Sequence, residues 1–458
     1  MAEIAVDIEQ LNASGDGVAH YRGRPLTVAA TIPGERVRVS LDPSRKGSAL
    51  LLEVIRPSQH RIQARCTHFG VCGGCAWQHI AYPEQLRLKT EMVDRLVRQA
   101  VPNAPAARPM IAATPLDDPW HYRQKVHFVF ARDTGLIMGH YERGSRRVMA
   151  VRECPVHDER GNAVAFGLFE TYARSGGRHG LPTLKSVAIR VSGATDETMA
   201  TLVVRDNSDP QLRAATKRAL AARWAPSSFH VNVHPRGDAY IFGPETRRVT
   251  GTERLRDEVA GVSFLISPTA FFQTSVKAAE VLVRLVLEAV PAGAEVLDLY
   301  AGAGLFALPL AVRGHRVTAV EANRAAVADG EASLRVNRIP EERCRFVARP
   351  VSTFTARALR PRSGQALRRR SGQARSTPAV ILDPPREGCE AVVLDNVFGR
   401  MSPAQAVYVS CNPETLARDL ARIVRHGYAI ASLQPVDMFP HTPHIETVVT
   451  ITRRSQPR

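Results

Sequence analysis

The sequence contains no run of 18 or more apolar residues, so it offers no segment able to cross a bilayer as a helix. Its first ten residues, MAEIAVDIEQ, lack the basic-then-apolar pattern of an export leader, and a cytoplasmic protein with no membrane contact is expected. Cysteine is scarce, at seven of 458 residues. Without an export pattern, that scarcity argues against a disulfide framework and leaves the cysteines for metal or thiol chemistry. Acidic residues are the scarcer charge, 44 against 61 Lys and Arg, and the net charge is +17. Such an excess implies a polyanionic partner such as nucleic acid. Seven of the arginines crowd into residues 356–375, which hold no acid; without them a balance of +10 remains, and the inference stands.

What is present is enough for several cores. Hydrophobic residues make up 44% of a chain too long for one ordinary domain, so two or three are expected. In residues 1–58, short apolar stretches at 4–8, 25–29, 36–39 and 50–55 alternate with turns such as Ser14-Gly15-Asp16-Gly17, which predicts a small β-barrel. Arg22, Arg24, Arg45 and Lys46 lie in its turns, either as phosphate contacts or as a plain solvated surface. Residues 59–265 read as a central α+β domain, with a helical pattern at 85–101. At its start Cys66, Cys72 and Cys75 fall within ten residues, among glycines that permit tight turns, and Cys154 is the obvious distant fourth ligand. Four thiolates suit zinc or an iron–sulfur cluster; spacing does not choose, although zinc is the commoner site. Further on, Trp120-His-Tyr-Arg-Gln-Lys-Val-His-Phe128 interleaves aromatic and basic groups, as an RNA-contacting surface or a half-buried strand would.

Residues 266–458 change period to strand–helix alternation. A helix is predicted at 275–290 and a strand at 295–300. The turn Gly302-Ala-Gly304-Leu-Phe-Ala307 follows, then a helix, then a strand at 316–320 ending in Glu321. This is the nucleotide-binding half of a doubly wound sheet, with Glu321 placed to accept from ribose hydroxyls; alone, it fits any adenosine-containing cofactor. Arg-Ser-Gly-Gln-Ala occurs at 362–366 and again at 370–374, and the stretch 356–377 reads as a disordered surface insertion, or else an RNA-contacting arm. The sheet resumes at 379–383, ending in Asp383-Pro-Pro-Arg386. A last buried strand at 406–410 runs into Cys411-Asn412-Pro413, where Asn412 caps a new helix and Pro413 opens it. A cysteine beside a helix N-terminus is either a thiolate nucleophile favoured by the helix dipole or a small buried apolar residue. Finally His444-Ile-Glu446 puts an acid at the edge of a strand predicted over 447–452.

Four separated signatures coincide: the cysteine cluster with Cys154, the Asp298–Gly304 turn, Asp383-Pro-Pro-Arg386, and Ser410-Cys-Asn-Pro413 followed by His444-Ile-Glu446. Together they resemble the S-adenosylmethionine-dependent RNA uracil-C5 methyltransferases, and most of all the bacterial 23S ribosomal-RNA branch with a TRAM domain and a [4Fe–4S] cluster. The resemblance implies an α/β chain in three parts: a TRAM-like barrel, a central α+β domain with the iron–sulfur site, and a Rossmann-like methyltransferase sheet. It implies Cys411 as nucleophile and Glu446 as general base. Cofactor contacts fall on Gln273, Tyr300, Glu321 and Asp383, and cluster ligands on Cys66, Cys72, Cys75 and Cys154. Two departures stand out: the arginine-rich repeat, and Leu305 in place of a polar residue often found after the second glycine.

The chemistry is consistent with this on its own terms. Uracil C5 is too poor a nucleophile to take a methyl group unaided; a thiolate added at C6 gives C5 carbanion character, and a base must then remove the C5 proton. The target base must leave its stack to be reached. The expected substrate is thus a uridine in 23S rRNA, with a tRNA uridine as the alternative and no obligate protein partner implied. A non-catalytic RNA-binding or ribosome-assembly factor would need neither Cys411 nor Glu446. A nicotinamide oxidoreductase would leave the Cys411 loop without a purpose.

Overall fold

A computed structural model describes residues 2–41, 47–175, 181–237, 241–358 and 378–454. Most of the arginine-rich stretch, as well as Arg45 and Lys46, lies outside the described residues. No helix among the described residues is long and apolar enough to cross a membrane.

In the first part, strict alternation builds the sheet. Along Arg36–Leu41 the arginines face water while Val37 and Val39 are wholly buried, joining Val6, Ile8, Leu26 and Val28 in one small core. The sheet has six strands, with Ala2–Asp7 at one edge and Gln10–Leu11 at the other. Both edges belong to a single stretch of chain, and Glu9 N donates to Val18 O (2.9 Å), so the sheet curls back on itself. Its seat on the rest of the molecule is polar and exact in its pairing. Wholly buried Glu35 takes a two-point contact from Arg61 (Nε–Oε1 2.6 Å, Nη2–Oε2 2.7 Å), which holds its carboxyl below the ordinary value although burial acts the other way.

A second sheet, of seven strands, occupies the middle of the chain. Its inner members Lys125–Arg132, Leu184–Val191 and Thr198–Val204 are backed by helices Glu159–Ser175 and Pro210–Leu220, whose Leu168, Tyr172 and Leu212 fill its core.

The third sheet positions the site. Five strands run parallel in the order Cys344–Ala348, Arg316–Glu321, Glu295–Leu299, Ala379–Leu382 and Gln405–Ser410. Glu446–Arg453 then adds antiparallel, followed by Tyr428–Asp437. Strands such as Ala379–Leu382 are apolar throughout because helices cover both faces. This is a Rossmann-like α/β sheet, reached through the glycine turn the sequence marks. Ile111–Ala112 extends it at the far edge, beside Val436 and Asp437. Helix Tyr82–Ala100 also packs here: its Val93 and Val97 share a core with Leu416 and Leu420 of helix Pro413–Arg425.

That docking is locked by an ion pair with no access to water. Lys89 Nζ donates to Asp437 Oδ1 (2.7 Å) and to Phe439 O (3.1 Å), and both charged side chains are fully buried. Burial pulls the Lys89 pKa down, and the carboxylate opposes it. Removing one partner strands the other charge in a dry interior. Lys89→Met should therefore lower unfolding stability by about 3–5 kcal/mol, whereas Lys89→Met with Asp437→Leu should recover much of the loss. Guanidinium unfolding of the three proteins checks this; a double variant no better than the single one would contradict it.

Candidate active site

The functional side chains stand in a row along one edge of the third sheet. Register places Leu299 beside Val320 and Leu382, so Glu321, Tyr300 and Asp383 emerge next to one another where the parallel strands end. One strand further on, Leu382 pairs with Tyr408, and that strand ends at Ser410, directly before Cys411. Ser410 pairs with Thr447 of the antiparallel strand, so the next step along each chain sets Cys411 opposite Glu446.

Local hydrogen bonds fix the nucleophile's turn. Asn412 caps helix Pro413–Arg425 by accepting from Glu414 N (3.0 Å), and Ser410 Oγ accepts from Asn412 N (3.2 Å). The neighbouring loop is hooked to this turn, since Arg386 O accepts from both Asn412 Nδ2 (3.0 Å) and Thr415 Oγ1 (3.1 Å). Arg386 thus hangs over the cleft, its Nη2 3.5 Å from His444 Nδ1. Neither residue is among those the sequence singles out for the chemistry, although a base immediately after Asp383-Pro-Pro was a visible signal.

Electrostatically the edge is a crowd of acids short of water. Burial pushes the Cys411 thiol up to about 12, Glu446 and Asp383 add to the rise, and Arg386 opposes it. Glu446 is raised well above its ordinary value by burial and by Asp383, again against Arg386. Asp383 is raised to about 7 by burial and then by Glu321, and the fully buried Asp298 well above its ordinary value by burial and then by Asp383. Burial thus acts against the thiolate that the helix N-terminus and Arg386 favour at Cys411.

On the cofactor side, Tyr300, Gly302 and Gly304 all take positive φ (64°, 55° and 89°). Gly304 is required by packing, because a Cβ there would lie 2.2 Å from Leu308 Cδ1. A Cβ on Gly302 would meet nothing within 4 Å: its backbone borders open space, as a ligand laid over the turn needs. Glu321 accepts from Gly302 N (3.0 Å) and Asn323 N (2.7 Å), which fixes the carboxylate while leaving lone pairs for further donors. Tyr300 Oη is buried with no hydrogen-bond partner among the described residues. These features fit an adenosine-containing ligand. Gln273 lies in the loop before helix Val276–Ala289, and its carbonyl accepts from the buried Arg190 Nη1 (3.3 Å) of the central sheet.

A cleft of about 350 Å³ opens at Cys411. Besides Arg386, Asn412 and His444, its walls include Ser14 from the first sheet, Gly74 and Cys75 from the cysteine segment, and Arg143, whose Nη2 is paired with Asp16 Oδ1 (2.5 Å). Cys66, Cys72, Cys75 and Cys154 are gathered beside it as free thiols. Burial pushes Cys75 up to about 12, with Cys154, Cys72 and Cys66 each adding to the rise, and burial likewise pushes Cys154 up to about 11. Among the described residues, no group of three or more His, Cys, Asp or Glu side chains is arranged to hold a metal ion.

The coupling of Cys411 to Glu446 can be read by alkylation. Iodoacetamide labelling of the Cys411 peptide, followed by mass spectrometry, should be slow at neutral pH and rise toward the thiol's elevated pKa. Glu446→Gln removes the second cause of that elevation and should shift the labelling profile to lower pH. An unmoved profile would show that the two groups do not sense each other.

Comparison with known proteins agrees with the geometry. The family described as tRNA (Uracil-5-)-methyltransferase matches residues 82–454. An uncharacterized RNA methyltransferase of Gloeobacter violaceus is 35% identical, covering 98% of this chain and 96% of its own. One from Thermosynechococcus vestitus is 34% identical, covering 98% of each. The fold is that of Pyrococcus abyssi tRNA (uracil-54, C5)-methyltransferase, solved in complex with S-adenosyl-L-homocysteine: TM-score 0.74 at 24% identity, over 98% of this chain and all of that one. This chain belongs to the tRNA (uracil-5-)-methyltransferase family and is an S-adenosylmethionine-dependent RNA methyltransferase.

Proposed function

We propose that this protein methylates C5 of one uridine in 23S rRNA through a covalent adduct between Cys411 and C6. The observation that carries the reading is the facing of Cys411 and Glu446 across neighbouring strands, with Arg386 acting on both. S-adenosylmethionine supplies the methyl group from its sulfonium. The Cys411 thiol gives its proton to solvent in the open cleft, Sγ bonds to C6, the electron pair gathered at C5 takes the methyl group as S-adenosylhomocysteine leaves, Glu446 accepts the C5 proton, and the C6–Sγ bond then breaks as the C5–C6 double bond returns. A carboxylate raised by burial is a stronger base than a solvated one, which suits removal of a carbon-bound proton. Arg386, the nearby positive charge, favours the thiolate that must form first. Asp383, Glu321, Tyr300 and Gln273 bind the cofactor around the Gly302 turn.

The first sheet acts as a TRAM-like RNA-binding module, with Arg22 and Arg24 in its turn; the Arg22 guanidinium lies 5.2 Å from the Tyr21 ring centroid. Residues 1–81, outside the family match, carry this sheet and three of the four cysteines, but the fold over this length is shared with the Pyrococcus tRNA enzyme, so the choice of rRNA rests on the resemblance of the sequence to that branch. A tRNA uridine is the second reading, favoured by the family's description and by the Pyrococcus enzyme, which shares nearly the whole chain length and acts on tRNA. Mass spectrometry of rRNA and tRNA from cells with and without the protein decides between them.

Catalysis is tested by trapping. Cys411→Ala should bind RNA yet form no adduct, whereas Glu446→Gln should add, methylate and then stall, leaving a protein–RNA complex that survives a denaturing gel. A transcript carrying 5-fluorouridine should trap the unaltered enzyme in the same way, because fluorine leaves no C5 proton to remove. Normal methylation with no trapped species would exclude Cys411 as nucleophile.

Cys66, Cys72, Cys75 and Cys154 hold a [4Fe–4S] cluster in this reading. The support for this is the resemblance of the cysteine spacing to that branch and the mutual influence of Cys66, Cys72, Cys75 and Cys154 on the Cys75 thiol. Protein prepared without oxygen should carry about four irons per chain. Cys154→Ser should lose them; stoichiometric zinc would overturn the cluster and leave the methyl transfer intact.

A further inference from the structure

The loop that delivers Glu446 is eight residues long, running from the end of strand Tyr428–Asp437 to the start of strand Glu446–Arg453. Its root is pinned by Asp437 and Lys89. Beyond Phe439 and Pro440, whose carbonyls accept from Lys89 Nζ (3.1 Å) and Tyr122 Oη (3.1 Å), its middle is held most densely at His441, which is buried and takes a left-handed backbone (φ 66°) unusual for a non-glycine residue. The carbonyl of His441 accepts two backbone N–H groups, from Ala76 (3.0 Å) and Trp77 (2.9 Å), the residues directly after Cys75. Its own N–H donates to Gln85 Oε1 (2.8 Å) on helix Tyr82–Ala100. The imidazole stacks on Trp120 (centroids 3.9 Å apart), and Nε2 donates to Pro119 O (3.1 Å). Because a carbonyl can only accept, Nε2 carries the proton, and Nδ1 is left to accept from Gln85 Nε2 at 3.2 Å.

One residue therefore ties the base-bearing loop to three separate parts of the chain: the cysteine segment, the helix that follows it, and the lead-in to the central sheet. Only four residues separate it from Glu446. We infer that His441 is a positioning residue for the proton-abstraction step: it holds Glu446 in line with the C5 proton and makes that alignment depend on the order of the Cys75–Trp77 segment. Cys411 is set by Asn412, Ser410 and the Arg386 loop, which meets the Glu446 loop at His444 (Arg386 Nη2–His444 Nδ1 3.5 Å) rather than at His441. Loosening His441 should thus spare the addition of the thiolate and slow its release.

This inference rests on Cys411 and Glu446 having the roles proposed above, and the test separates the two. Adduct formation is followed on 5-fluorouridine-substituted transcripts of 23S rRNA and tRNA, and turnover on the unsubstituted transcripts. His441→Ala should form the fluorouridine adduct within about threefold of the wild-type rate, while turnover falls about tenfold or more and adduct accumulates on ordinary RNA. His441→Asn tolerates the left-handed backbone and still offers Gln85 an acceptor, so it should recover part of the loss. Trp120→Ala, which removes the stacking platform and the ring under Arg65 but leaves the hydrogen bonds of His441, should shift the same ratio in the same direction and serves if His441→Ala fails to fold. Amide hydrogen exchange should quicken over residues 442–446 and not over helix Pro413–Arg425. Equal slowing of addition and release, or no accumulation in any variant, would overturn the positioning role. If the wild-type protein traps no fluorouridine adduct on either RNA, the nucleophile assignment fails and this inference falls with it.

Discussion

Desolvation of acids at one sheet edge is the constraint on which the rest of the molecule depends. Asp298, Asp383, Glu446 and the Cys411 thiol lie along the ends of neighbouring strands, and burial is the largest cause of the upward shift in each. Each of these groups raises the cost of ionising the next, so bringing positive charge to the edge relieves all of them. Arg386 is the one cation among the leading causes of these shifts, and it opposes the rise at both Cys411 and Glu446. A sulfonium donor is a cation too, and its arrival acts on the acids around it in the same direction.

Geometry follows from the sheet's one reversal of direction. Five parallel strands present their carboxyl ends together, which is where doubly wound sheets place ligands. A sixth parallel strand would have brought another chain end. Because Glu446–Arg453 runs the opposite way, it brings a chain beginning to the same edge, and Glu446 arrives at the tip of a short loop. The nucleophile and the base thus approach one point from opposite chain directions, one leading into a helix and the other leaving a loop held by distant residues.

Short-range signals made much of this row readable in advance. Asn412 before Pro413, the Gly302–Gly304 turn and the acids closing apolar stretches at 321 and 383 each announce a strand end within a few residues, and the structure places them side by side. What the residues alone conceal is long-range. Nothing near Lys89 indicates that its helix docks on helix Pro413–Arg425, or that Ile111–Ala112 extends the last sheet. The Asn12–Asp16 turn gives no local sign that it forms a wall of the cleft at Cys411. The environment of Cys411 is concealed for a related reason: a helix N-terminus is visible in the sequence, whereas the burial that opposes it is a property of the assembled edge.

The Lys89–Asp437 pair also bears on how the chain is made. The partners are 348 residues apart in sequence, so at ribosomal speeds of 5–20 residues per second Lys89 waits roughly 20–70 s for its carboxylate. Over that interval the first sheet, the cysteine segment and helix Tyr82–Ala100 are already outside the ribosome, while the surface that will cover Val93, Val97 and Lys89 has not been synthesised. An amphipathic helix with a lysine on its inner face remains soluble while it waits, where an all-apolar face would invite aggregation. The same charge that costs desolvation in the finished molecule keeps the nascent one dispersed until residues 437–446 complete the cleft.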